Sequence, residues 1–257
     1  MGNVVPFTAP PRQRPHIVTA IKVANTGSRP FLCHASDGHE YWCKELHSAH
    51  EREAAINEVV VSIIGEEIGA PVRPWTILDI PEDLASTSIG QGELRRRMPV
   101  GPLFGSLNLH QARVSRDIEH VPDDGNYNRF PMLVALAELC MADDVQFLYD
   151  PSDENKMWSL DHGFWFGSHE APWEFFTIEG FPRVRTPIPS VHWNKAIDAV
   201  RQLNSTLEAT IAAKLPQEWN VKDKEIHQLA APVLSGKPAC IAKLEQYKSV
   251  YERRHGQ

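Results

Sequence analysis

Residues 39–46 read HEYWCKEL, and residues 53–75 read EAAINEVVVSIIGEEIGAPVRPW. In the first stretch, strict alternation puts Trp42, Lys44 and Leu46 on one face of a strand and Tyr41, Cys43 and Glu45 on the other. A lysine in phase with a tryptophan and a leucine is a charge on an apolar face, and such a charge needs a partner. The second stretch supplies one. Ile56, Val59, Val60, Ile63 and Ile64 recur at helical spacing. Opposite them lie Ala54, Glu58, Ser62 and Gly65, a small-residue face with one carboxylate at its centre. This predicts a helix over 48–68 that packs closely on both sides, ended by Gly69 and blocked from resuming by Pro71.

Outward to the N-terminus, Ile17–Val23 and Pro30–Ala35 are apolar runs. They flank the turn cluster Asn25-Thr26-Gly27-Ser28-Arg29-Pro30, and Ser36-Asp37-Gly38 is a second turn with a hairpin Asp-Gly pair. Three consecutive antiparallel strands follow. Residues 1–15 are Pro-rich and are expected to form a flexible arm. No acidic residue precedes Asp37, whereas Arg12, Arg14, Lys22 and Arg29 do, so this stretch reads as solvated or as facing an anion. Outward to the C-terminus, Val72–Ile80 and Glu93–Val100 are further strands, the latter carrying Arg95–Arg97, and 101–128 is irregular. Phe130–Met141 is an apolar helix. Val145–Tyr149 and Lys156–Leu160 are short strands joined by the polar loop Asp150–Asn155, with Asp161-His162-Gly163 directly after. Helical patterns cover Trp193–Leu215, Lys222–Leu234 and Pro238–Arg254.

Composition narrows the function. The 257 residues carry a net charge of −7, which argues against nonspecific gripping of nucleic acid. No apolar run approaches the ~20 residues of a membrane span. The N-terminus has no apolar core of a signal peptide and no Ser or Thr at position 6 for myristoylation. Cys33, Cys43, Cys140 and Cys240 show no CxxC pairing and read as reduced thiols of a cytoplasmic protein. Cys33, His34, His39 and Cys43 fit no zinc-finger spacing. Gly101 and Gly105 lack the Gly-Lys-Ser/Thr ending of a P-loop, and no Gly-x-Ser-x-Gly elbow is present.

The order of parts is more telling. A lysine on a third strand precedes a helix bearing a carboxylate. Much later come a helix, an Asp-rich loop, a two-strand hairpin and a terminal Asp-x-Gly. That is the order of a protein-kinase-like fold, in which a turn, a lysine and a metal-binding Asp handle phosphate. The stretches TGSRPFLCHASDGHEYWCKEL, NEVVVSIIGEEIGAPVRPW, GPLFGSLNL and MADDVQFLYDPSDENKMWSLDHGFWFG resemble the HipA-like kinases, bacterial serine/threonine kinases, across residues 16–170. The resemblance implies an α+β, bilobal fold with a β-rich N-terminal lobe over 16–98 and an α-rich C-terminal lobe over 99–257.

It also implies an ATP- and Mg-dependent transfer of the γ-phosphate to a Ser/Thr hydroxyl of a protein or of the kinase itself. Thr26, Gly27, Ser28 and Arg29 become the phosphate loop, Lys44 the phosphate-binding lysine, Glu58 its partner and Asp161 a magnesium ligand. The base is expected against the sheet and a linking segment around Arg97–Pro99. The family's catalytic loop runs Asp, four residues, Asn. Here Asp143-Asp144-Val145-Gln146 is about two residues shorter. Either Asp143 or Asp144 then meets the substrate hydroxyl, with Gln146 as the amide metal ligand. A toxin-antitoxin, stress or phage-defence setting with a small neighbouring-gene partner protein goes with the resemblance. The alternative is a pseudokinase, a nucleotide- or partner-binding module.

Overall fold

The computed structural model describes residues 14–26, 28–46, 53–85, 87–116, 118–123, 125–143, 145–168 and 186–253. The arm at 1–13, Gly27 and Asp144 lie outside the described residues. Strands β1 (Ile17–Val23), β2 (Phe31–Ala35) and β3 (Glu40–Lys44) form the expected antiparallel meander. Helix α1 (Glu53–Ile68) and strand β4 (Trp75–Leu78) follow. A small ribbon of β5 (Ser88–Ile89) and β6 (Arg96–Arg97) precedes β7 (Leu103–Leu107). The sheet order is β1-β2-β3-β7-β4.

The alternation read in β3 decides what each sheet face does. Tyr41 and Cys43 join Ile17, Phe31, Leu78 and Leu103 in a core on one side. Trp42 and Lys44 face the other way, only partly buried. Helix α1 is buried almost all round, as its two-faced pattern predicts. Gly65 is needed there, because a Cβ would stand 2.4 Å from the Val72 side chain.

The second half holds β8 (Arg113–Ser115), α2 (Asn126–Leu139), β9 (Gln146–Asp150) and β10 (Lys156–Leu160), with strands in the order β10-β9-β8. Helices α3 (Ser190–Gln202), α4 (Thr206–Lys214) and α5 (Asp223–Arg253) complete it. The α2 core centres on Phe130 and Trp193, whose rings meet edge-on at 5.9 Å. Among the described residues no helix is long and apolar enough to cross a membrane.

Several expected boundaries change. β7 lies in the segment expected to be irregular and pairs with both β3 and β4, so the N-terminal sheet runs past the lobe boundary expected at residue 98. Glu93–Val100 is a short 3-10 turn followed by two strand residues. The helix expected over Trp193–Leu215 breaks at Leu203, where the backbone extends and Asn204 Oδ1 accepts from Thr206 N at 2.9 Å. The two helices expected beyond it are one, with Pro232 and Pro238 inside. Packing on α2, α3 and α4 carries α5 through those prolines, which alone disfavour a helix interior.

Candidate active site

A cavity of about 560 Å³ opens between the two sheets. From the first sheet it is lined by Thr26, Ser28, Trp42, Lys44, Phe104 and Ser106, and from the second by Val114, Gln146, Leu148, Leu160 and Asp161. Glu58 of α1 reaches its wall. Arg29 and Asp143 are not on that wall. Arg29 has φ +45°, and its N bonds Thr26 O at 3.0 Å to close the turn. Asp143 is exposed in the loop between α2 and β9.

Lys44 Nζ bonds Glu58 Oε1 and also Asp161 Oδ1, the latter at 2.5 Å. The partner expected for the strand lysine is therefore present, and Asp161 is a second. Side-chain exposures of 14% for Lys44, 5% for Glu58 and 43% for Asp161 distinguish their positions: the first two are wall, and the third faces the open cavity. Burial pulls the Lys44 ammonium down, but the facing Glu58 and Asp161 carboxylates outweigh it and hold the group above the ordinary lysine range. Burial pushes Glu58 up, yet Lys44 and then His162 hold it below the usual carboxylate range.

Backbone geometry places Asp161. Ser159 N bonds Pro71 O at 2.8 Å, tying the end of β10 to the segment after α1. Asp161 then adopts φ +61°, a left-handed conformation that Asp tolerates better than most residues. His162 follows with its N 3.1 Å from Glu58 Oε1 and its Nδ1 3.1 Å from Glu58 Oε2. Its Nε2 stands 2.7 Å from Ser159 Oγ. A tautomer with hydrogen on Nδ1 satisfies both contacts. Asn57, one position before Glu58 and fully buried, donates from Nδ2 to Gly163 O and Trp165 O at 2.8 and 2.9 Å. Helix α1 thus holds the lysine and the Asp-x-Gly turn together.

The linking segment differs from expectation. Met98 is buried in the core beneath the first sheet, so Arg97–Pro99 does not face the cavity. Asn108, Leu109, His110 and Ala112, after β7, line it instead. Trp42 Nε1 donates to Asn108 Oδ1 at 3.0 Å, and Lys22 Nζ lies 5.4 Å above the Trp42 ring. Of the three arginines at 95–97, Arg96 is structural: it pairs with Glu45 and donates to Arg29 O at 3.0 Å. Arg14, the described end of the basic arm, pairs with Asp79 and Glu218. Cys33 and Cys43 are buried, with their sulfurs 3.3 Å apart.

Asn57 is the other member of the Asn-Glu pair that the resemblance implies, whereas Arg73, His162 and Asn108 carry no role in the sequence reading. Arg73 carries one cue, a charged residue between Val72 and Pro74 in a segment too short to be a helix.

Residues 17–126 match the family of HipA-like kinases, which bears out the resemblance over that stretch and supports a kinase-type phosphotransferase. The match contains Lys44, Glu58 and the turn at 26–29, whereas Asp143, Gln146 and Asp161 lie beyond it. No curated protein matches the chain. Among solved structures, the chain is similar to a crystal structure of the Golgi casein kinase, with TM-score 0.47, 12% identity, and coverage of 94% of this chain and 73% of that one. A second, the Golgi casein kinase with Mn/ADP bound, gives TM-score 0.37 and 13% identity over 91% of this chain and 72% of that one.

Proposed function

We propose that this protein is an ATP- and Mg²⁺-dependent phosphotransferase that passes the γ-phosphate to a Ser/Thr hydroxyl of a protein, itself included. The observation that carries the reading is the convergence of Lys44, Glu58, Gln146 and Asp161 with the turn residues Thr26 and Ser28 on one cavity. They come from opposite sides of two sheets, and a phosphate chain bridging those sides gives each a task.

The donor set fits magnesium. Among the described residues no group of three His, Cys, Asp or Glu gathers as a metal cage. Mg²⁺ does not need one, since it is commonly held by one or two protein oxygens, waters and substrate phosphates. Asp161 and Gln146 supply a carboxylate and an amide oxygen. When bound, the ion neutralises charge on the phosphates. Lys44 reaches the phosphates once Asp161 is engaged elsewhere, and Glu58 keeps it aimed. Phe104, Leu109, Ala112, Val114, Leu148 and Leu160 form the apolar wall for the base. Asp143 or Asp144 takes the proton of the substrate hydroxyl. The four free cysteines suit a reducing cytoplasm. A toxin-antitoxin, stress or phage-defence setting with a small partner protein rests on the family resemblance alone.

One observation favours a second reading. Asp143 is exposed and off the cavity wall, as in a binding module that holds nucleotide without transferring phosphate. Incubation with Mg²⁺ and ATP labelled at either the α- or the γ-phosphate separates these outcomes. The kinase reading expects γ-label, and no α-label, on a protein. Binding without transfer makes the chain a pseudokinase, and α-label transfer makes it an AMP transferase.

A further inference from the structure

Arg73 sits in the six residues between α1 and β4, and neighbouring backbone holds that segment on both sides. Pro71 O accepts from Ser159 N at 2.8 Å, and Pro74 O accepts from Leu107 N at 2.9 Å. The arginine is thereby placed where the two sheets meet, and its side chain lines the cavity beside Lys44, Glu58 and Asp161. A guanidinium carries five N–H donors. This one makes a single hydrogen bond among the described residues, from Nη1 to Leu107 O at a long 3.4 Å. Among the described residues no carboxylate stands within ion-pair distance of it. The nearby acids are already committed, Glu58 to Lys44 and His162, and Asp161 to Lys44.

A half-buried cation with unused donors, facing a cavity beside Lys44 and Asp161, is matched to an anion. We infer that Arg73 is a second phosphate-binding cation of this cavity, making a forked contact to the phosphate chain of the nucleotide. The inference rests on the nucleotide reading above. Burial lowers the guanidinium to about 10, offset in part by Glu58 and Asp161, so it stays charged at neutral pH. A competing role is available: Arg73 acts only as counter-charge, holding Asp161 ready for its metal.

Titrating adenosine, ADP and ATP into wild type and Arg73→Met, with Mg²⁺ and separately with EDTA, decides between them. A direct contact predicts unchanged adenosine binding and an ATP affinity lowered about ten- to hundred-fold. That loss persists in EDTA. Equal weakening of all three ligands, no weakening, or a loss confined to Mg²⁺ overturns the inference. If Arg73→Met does not melt cooperatively, Arg73→Lys keeps the charge and removes the fork. It then shows a several-fold loss for ATP with adenosine unchanged, and wild-type affinity for ATP overturns the inference. Wild type that binds neither adenosine nor ATP refutes instead the nucleotide reading on which it depends.

Discussion

Lys44 and Glu58 stand 14 residues apart on a strand and a helix of one continuous stretch, whereas Asp143, Gln146 and Asp161 come from loops and strand ends around a separate hairpin. The first pair is buried, and Glu58 is held in turn by both a side chain and a backbone N–H of His162. On the second side, Asp161 is 43% exposed in its side chain and Asp143 is exposed outright. The difference shows how the cavity divides its work. The wall of regular elements fixes Lys44 and Glu58 in place, and on the hairpin side Asp161 stays partly exposed at the cavity while it pairs with Lys44.

That division orders the expected effects. The largest belongs to the open side. Asp161→Asn is expected to lower phosphotransfer about 10³-fold or more and to remove most of the rise in melting temperature that Mg·ATP gives wild type. Phosphotransfer assays and thermal melts check both, and wild-type activity in this variant breaks the comparison at its root.

Next is the short loop. Replacing Asp143 and Asp144 by Asn separately is expected to lower γ-phosphate transfer about 10²–10⁴-fold in one of the two variants, with ATP binding retained. If both keep full activity, the base lies elsewhere.

On the buried side, Lys44→Ala is expected to lower turnover about 10²–10³-fold. His162 still faces Glu58 in this variant, so its melting midpoint falls by only several degrees. Parallel kinetics and calorimetry would read the two quantities.

The smallest effect is a pH dependence of stability. Glu58 is held below its ordinary value in the folded protein, so its contribution is complete above the unfolded carboxylate pKa of about 4.3. It declines as pH falls below that value towards the depressed folded one. Glu58→Gln removes one partner of the buried pair, which costs up to roughly 3–5 kcal/mol where nothing else faces the charge left behind, and here Asp161 still faces Lys44. The stability gap between wild type and variant is expected to be constant from pH 7 to 5 and to narrow below. Denaturant melts across that range measure it, and a gap that widens on acidification contradicts the assignment.

The same contrast explains what could be read in advance. Period two in Glu40–Lys44 and the two faces of α1 follow from local geometry, so Lys44 and Glu58 were legible with the fold around them. Strand β7 was not. Its sequence begins after Gly101-Pro102 and contains Gly105, residues that read as a turn. Gly105 is there for a neighbour, because a Cβ would stand 2.6 Å from Leu78 Cδ1. The linking segment was misplaced for the same reason, since the strand before it was unseen. Arg73 falls within the strand expected over Val72–Ile80, but β4 begins only at Trp75, and the bonds from Ser159 and Leu107 give its position meaning. Asp161 was legible because it follows an apolar strand directly. Gln146 opens the partner strand β9, and register pairs it with Leu160, one residue short of Asp161.

The most direct measurement is a crystal structure with Mg²⁺ and a non-hydrolysable ATP analogue. The expected result has the triphosphate in the cavity between the sheets, Lys44 Nζ on a phosphate oxygen while still paired with Glu58, and the ion held by Asp161. A nucleotide bound elsewhere, or Lys44 turned into bulk solvent away from any phosphate, would contradict the phosphotransferase reading.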